Sequence, residues 1–150
     1  MESLMRYISR TSRCGVLYRT DKLEKYGLGG HQNVYIQNIC RSPGISQDRL
    51  AKMIFVNKST VTRQMALLEQ NGFVTRQVSG QDKRQMLLYP TEKAVKLYPI
   101  IQEVLRGWND RLLEDFTEQE RQILGSMLKK VMEKAVFLSS QTAEEGRENP

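Results

Sequence analysis

Apolar residues recur at helical intervals along most of this chain and form strand-like runs in one short region only. Between residues 3 and 26, Leu4 and Ile8 share a face, and so do Cys14, Leu17 and Tyr18 further on, which predicts a first helix. Gly27, Gly29 and Gly30 break it. A second helix is expected over 31–41, with Tyr35, Ile36, Ile39 and Cys40 as its apolar positions. Ser42-Pro43-Gly44 ends it, because proline removes a backbone donor and glycine permits a left-handed turn.

Ser46 then suits a helix N-cap, its hydroxyl accepting from an orphan backbone N–H. The helix it opens, Gln47–Met53, places Leu50 and Ala51 inward, with Ile54 just after. A four-residue connection, Ile54–Asn57, leads to another helix, opened by Asn57 or Lys58 and running to about Gln70. Val61, Met65 and Leu68 make one inward stripe along it. Asn71-Gly72 ends it with a left-handed cap. The only strand-like runs, Phe73–Val78 and Arg84–Tyr89, flank Ser79-Gly80-Gln81-Asp82-Lys83, so a hairpin with a polar, partly basic tip is expected. Pro90-Thr91 closes it and caps a long helix from Glu92 to about Asp115. Thr117-Glu118-Gln119-Glu120 reads as a capping box that starts a last helix carrying Ile123, Leu124, Met127, Leu128 and Val131. The polar, acidic stretch 139–150 is expected to be a flexible tail.

Short helix, tight connection, second helix and hairpin, in that order, make a winged helix-turn-helix. The fold class is therefore mainly α with a small β-hairpin wing, flanked by long helices. In such a unit the second helix packs one face and offers the other to the DNA major groove. Its outward residues here are Lys58, Ser59, Thr60, Thr62 and Arg63. Hydroxyls approach phosphates and base edges closely, and arginine can pair bidentately with guanine. Ser46, at the start of the preceding helix, joins this set, and the helix N-terminus favours a phosphate. The hairpin tip adds Asp82, Lys83 and Arg84, the cations within reach of a neighbouring minor groove.

Charge supports that placement. The 150 residues carry a net charge of +6. Residues 41–90 hold eight basic side chains against three acidic, a balance of +5, whereas residues 91–150 balance at −2. A basic module beside a near-neutral helical one suits a polyanion. The competing reading is a winged helix used for protein contacts without direct DNA binding, and the basic, hydroxyl-rich face argues against it. Residues 92–136 carry more apolar surface than one small winged helix can cover, Leu97, Ile101, Val104, Leu105, Trp108 and Leu112 among it, which points to a partner surface.

The stretch from Pro43 to Ala94 resembles the MarR family of bacterial transcription regulators. The resemblance rests on Pro43-Gly44-Ile45-Ser46, Leu50-Ala51, Lys58-Ser59-Thr60-Val61-Thr62-Arg63, Leu68-Glu69, Gly72, Val74, Asp82-x-Arg84 and Thr91-Glu92-Lys93-Ala94. Leu28 and Gln32 also fit the family's approach to its second helix, while Gly29 and Asn33 depart from its commoner pattern. The dense motif covers about a third of the chain. It implies a homodimer whose dimer layer comes from residues 1–30 and 91–138, with residues 31–90 as the DNA-binding region. It also implies a regulator, a repressor by the commoner pattern, that reads a pseudo-palindromic operator in double-stranded DNA. Release would follow a small aromatic effector or cysteine oxidation.

Cys14, Tyr18, His31 and Tyr35 are the candidate effector-pocket residues. Cys14 and Tyr18, four apart on one helix, place a phenol beside a thiol, an arrangement similar to that of the family's peroxide-sensing branch. Two cysteines make no disulfide framework, and one histidine excludes a His-rich metal site. No phosphate-binding loop or nucleophile elbow is present, so neither an enzyme nor a cofactor is expected. No run approaches about 18 apolar residues, so no membrane span is expected, and the first ten residues lack a secretory core. A cytoplasmic protein is expected.

Overall fold

The computed structural model describes residues 3–148, with side chains through 142. Six helices and three short strands follow one another: α1 (Leu4–Leu23), a 3-10 turn (Glu24–Tyr26), α2 (Asn33–Arg41), β1 (Ile45–Ser46), α3 (Gln47–Ile54), α4 (Lys58–Gln70), β2 (Val74–Val78), β3 (Met86–Pro90), α5 (Glu92–Leu112) and α6 (Glu118–Glu148). Two compact units divide between Trp108 and Asn109.

In the first unit, the fully buried Ile36 and Ile39 of α2, Leu50 of α3, and Val61, Met65 and Leu68 of α4 share one core with Leu23, Phe73 and Leu88. Every residue of the expected α4 stripe is thus inside. The α3 and α4 boundaries follow from their caps. Ser46 Oγ accepts from the Arg49 N–H at 3.1 Å, and Asn57 Oδ1 from the Thr60 N–H at 2.8 Å. Asn57, not Lys58, is therefore the cap.

At Gly30 the chain after α1 packs closely back onto that helix. Its N–H donates to Thr20 Oγ1 at 3.0 Å, its carbonyl accepts from Arg19 Nε at 2.9 Å, and a Cβ there would lie against the Val16 carbonyl oxygen. α2 starts at Asn33, two residues later than the pattern predicts. His31 and Gln32 belong to the preceding turn, where Gln32 Oε1 takes the Gly29 N–H at 2.9 Å.

The sheet is antiparallel in the order β1-β3-β2. Periodicity predicts two strands. The third, β1, has only two residues, and pairs Ile45 with Leu88 and Ser46 with Leu87. Positive φ at Gly44 turns the chain into this pairing, and the Gly44 N–H donates to the Leu88 carbonyl at 2.7 Å. β3 begins at Met86 rather than Arg84. Asp82 Oδ1 accepts the Arg84 N–H at 3.0 Å, which holds Lys83 and Arg84 in the tip, outside the ladder. Thr91 locks the hairpin to α5: its hydroxyl donates to the Gly72 carbonyl at 2.6 Å and accepts from the Ala94 N–H at 3.3 Å. α5 carries Pro99 at an exposed position.

In the second unit the capping box forms as expected. Glu120 accepts from the Thr117 N–H and hydroxyl, each at 2.8 Å, and the Glu120 N–H returns to Thr117 Oγ1 at 3.3 Å. α6 continues to Glu148, through most of the stretch expected as a tail. Ser139 and Ser140 turn their hydroxyls back onto the Val136 and Phe137 carbonyls at 2.8 and 2.7 Å, so these polar residues bond within the helix. Residues 149 and 150 lie outside the described residues.

Candidate nucleic-acid interface

Five of the expected contact residues fall in the first two turns of α4, and local hydrogen bonds fix them. Asn57 Oδ1 accepts the Ser59 hydroxyl at 2.8 Å as well as the Thr60 N–H. Thr62 donates to the Lys58 carbonyl at 2.9 Å and receives a long contact from Gln47 Nε2 at 3.4 Å. Arg63 reaches back to Thr60 Oγ1 at 3.3 Å. Lys58 is ion-paired with Asp48 of α3 at 3.1 Å, and both side chains are exposed. Binding a phosphate would exchange one solvated partner for another, at little cost. Ser46 uses one oxygen lone pair on the α3 cap, and its hydroxyl can still donate.

The wing tip is held by its own polar side chains. Ser79 Oγ accepts the Gln81 and Asp82 N–H groups at 3.2 and 3.3 Å, and the Ser79 N–H donates to the Gln85 carbonyl at 2.9 Å. Asp82 also takes Arg84 Nε at 3.3 Å. The Arg84 side chain is nonetheless 91% exposed, and Lys83 beside it is exposed too. The result is a fixed turn that carries two solvated cations.

Cys14, Tyr18, His31 and Tyr35 stand in different surroundings. Cys14 and His31 are exposed, and Tyr35 is a core residue. Tyr18 packs on Trp108 with ring centroids 5.0 Å apart. Burial pushes the Tyr35 hydroxyl and the Cys40 thiol above their ordinary pKa values, which keeps both protonated. A cleft of about 490 Å³ lies elsewhere, lined by Lys25, Tyr26, Phe73, Lys93, Lys96, Leu97 and Ile100. Lys93 sits 4.2 Å from the Phe73 ring centroid and donates to the Asn71 carbonyl at 2.8 Å, at the end of α4.

This arrangement has close relatives. The sequence profile of the MarR family matches residues 31–86. The uncharacterized HTH-type transcriptional regulator YybA of Bacillus subtilis is 30% identical over 131 residues, 87% of either chain. The chain belongs to the MarR family. It is a MarR-family transcriptional regulator, and members of that family are not enzymes. A crystal structure of MarR is 31% identical, superposes with a TM-score of 0.84 and is matched over 95% of its length and 93% of this chain. A MarR-family regulator from Listeria monocytogenes, crystallised with a 26mer DNA, is 29% identical with a TM-score of 0.86 over 96% of both chains.

Three further residues of this MarR-family chain join elements around the candidate interface and lie outside the set that spacing predicts. Gln47 touches Thr62, Asp48 pairs with Lys58, and Glu69 binds Arg76 of β2. Each contact joins two elements, so no residue spacing reveals it. Among the described residues, no helix is long and apolar enough to cross a membrane.

Proposed function

We propose that this MarR-family protein is a cytoplasmic, homodimeric repressor that binds a pseudo-palindromic operator in double-stranded DNA. The observation that carries the DNA assignment is the hydroxyl-and-cation face of α4, Lys58 to Arg63, together with the solvated wing cations Lys83 and Arg84. Two such helices in a symmetric dimer would enter successive major grooves about 34–36 Å apart. Binding of DNA by the Listeria relative supports the same reading.

Uncovered apolar side chains support the dimer. On α1, Leu4, Met5, Tyr7 and Leu17 are exposed; on α6, so are Ile123, Met127, Leu128, Met132 and Phe137. Apolar surface of this extent marks an interface. Residues 1–30 and 91–138 are accordingly assigned to dimerisation and 31–90 to DNA binding. Release from DNA by a small aromatic ligand or by oxidation of Cys14 completes the reading, with the exposed position of Cys14 supporting access by an oxidant.

Fluorescence anisotropy with a labelled duplex from upstream of the protein's own coding region tests the DNA assignment. Tight binding that weakens steeply with salt is expected. Absence of binding would return the protein to the class of winged-helix interaction modules. Light scattering should give the mass of two chains. Peroxide-induced release that survives Cys14→Ser would exclude the oxidation route.

A further inference from the structure

Phe55 is the one non-glycine residue with positive φ among the described residues, at φ 56° and ψ 40°. Gly27, Gly44 and Gly72 hold the other left-handed positions. A Cβ is disfavoured in this conformation, so an aromatic residue here strains the backbone. The ring does not repay that strain by burial, being 67% exposed. The bonds that close the cap, from the Phe55 and Val56 N–H groups to the Ala51 carbonyl, are made by the backbone and would survive in glycine. Phe55 therefore carries two liabilities, strain and apolar exposure, that the fold of its own chain does not offset.

Its place supplies an occupant. Phe55 ends α3 and stands two residues before Asn57, the cap of α4. Exposed Lys52 and Lys58 flank it in sequence. An aromatic ring framed by cations suits the edge of a duplex, where apolar sugar faces and thymine methyl groups lie between phosphates. We propose that Phe55 is a further DNA-contacting residue, its ring packing on deoxyribose or thymine-methyl surface beside the point where α4 meets the groove. This inference rests on the DNA-binding reading above and extends that interface into the helix-turn-helix turn.

The experiment compares the full-length parent with Phe55→Gly, using anisotropy on the same upstream duplex at several salt concentrations and thermal melting at one fixed protein concentration. Glycine should relieve the backbone, so the variant should melt no lower than the parent. Its DNA affinity should fall about tenfold, with the salt slope unchanged, because no phosphate contact is lost. Phe55→Leu, which keeps an apolar side chain, should recover part of the affinity. Affinity of Phe55→Gly within twofold of the parent overturns the contact. A lower melting temperature also overturns it, since the ring would then be serving the fold. A shallower salt slope assigns the loss to phosphates and likewise rejects an apolar contact. If the parent itself binds no duplex, the DNA-binding reading fails, and this contact with it.

Discussion

Glu69, at the end of α4, takes three hydrogen bonds from Arg76 of β2: from the backbone N–H at 3.2 Å, from Nε at 3.2 Å and from the terminal guanidinium nitrogen at 2.9 Å. This fastens α4 to the wing. The Arg76 side-chain hydrogen bonds are the largest cause holding the Glu69 carboxyl below its ordinary pKa. A carboxylate with a lowered folded-state pKa stabilises the fold above its unfolded value, and that contribution disappears as pH falls through the folded value. Glu69→Gln should therefore lower the unfolding free energy measured in urea at neutral pH, by at most about 1 kcal/mol for a pair this exposed. Glutamine resembles protonated glutamate, so parent and variant should converge as pH falls through that lowered value. A gap undiminished at lower pH would show that the charge is not what holds the wing.

Gly30 yields a stability prediction with a steric cause. Its backbone lies against α1, where a Cβ would meet the Val16 carbonyl and approach Thr20 Oγ1 to 2.6 Å. The neighbours on the α1 side are backbone and a hydroxyl already bonded at 2.9 Å to the Val16 carbonyl. Gly30→Ala should cost about 1–3 kcal/mol. The same substitution at Gly80, which has open space around it, should be close to neutral. Urea denaturation of the two variants at matched concentration makes the comparison, and equal losses would contradict it.

These two sites show what a sequence displays and what it conceals. The α4 stripe, the Ser46 cap and the Thr117–Glu120 box are legible because each is set by residues within a turn or two of one another. The glycines at 27, 29 and 30 read simply as a helix break. That Gly30 is a packing contact depends on Val16 and Thr20, more than two helical turns earlier, and on how the chain folds back. β1 is hidden for the same reason: two residues carry no periodicity, and the strand exists because Leu87 and Leu88 lie opposite. Lys58 to Arg63 could be placed as one face from spacing alone. The Asp48 and Glu69 carboxylates that engage this helix and the wing needed the fold.

Asn57 joins stability to the interface. Its side chain caps α4 through the Thr60 N–H and orients the Ser59 hydroxyl. Asn57→Ala should destabilise the protein by about 1 kcal/mol. It should also weaken DNA binding by freeing Ser59, whereas Asn57→Asp should keep the cap but bring a negative charge to the phosphates. Stability near that of the parent combined with poorer DNA binding is thus expected for the aspartate variant, and chemical denaturation with anisotropy reads both. If the aspartate variant binds as tightly as the parent, Asn57 does not face the duplex.

The two cysteines should differ in reactivity. Cys14 is exposed, while Cys40 is partly buried and its pKa is raised by burial, so it holds less thiolate near neutral pH. A thiol reagent in excess should modify one site quickly and the other slowly. Cys14→Ser should remove the fast phase, and Cys40→Ser the slow one. Both phases lost together, or the reverse assignment, would mean that accessibility in the assembled protein differs from that of a single chain.

Arg63 and Arg84 should separate specificity from general affinity. Arg63 projects from the second turn of α4 and leans on Thr60, a position from which a guanidinium can read guanine in the major groove. Arg84 is exposed at the wing tip and steadied by Asp82. Arg63→Ala should cost about 1–3 kcal/mol on the operator and narrow the gap between operator and unrelated DNA. Arg84→Ala should weaken both duplexes together and reduce the slope of log K against log salt by about 1. Asp82→Ala leaves the cation in place but removes the bonds to the Arg84 N–H and Nε, so it should keep the slope while lowering affinity through a looser tip. Titrations of all three variants on operator and scrambled duplexes at several salt concentrations make the comparison. If Arg63→Ala lost affinity equally on both duplexes, Arg63 would be a phosphate contact and base reading would have to come from elsewhere on α4.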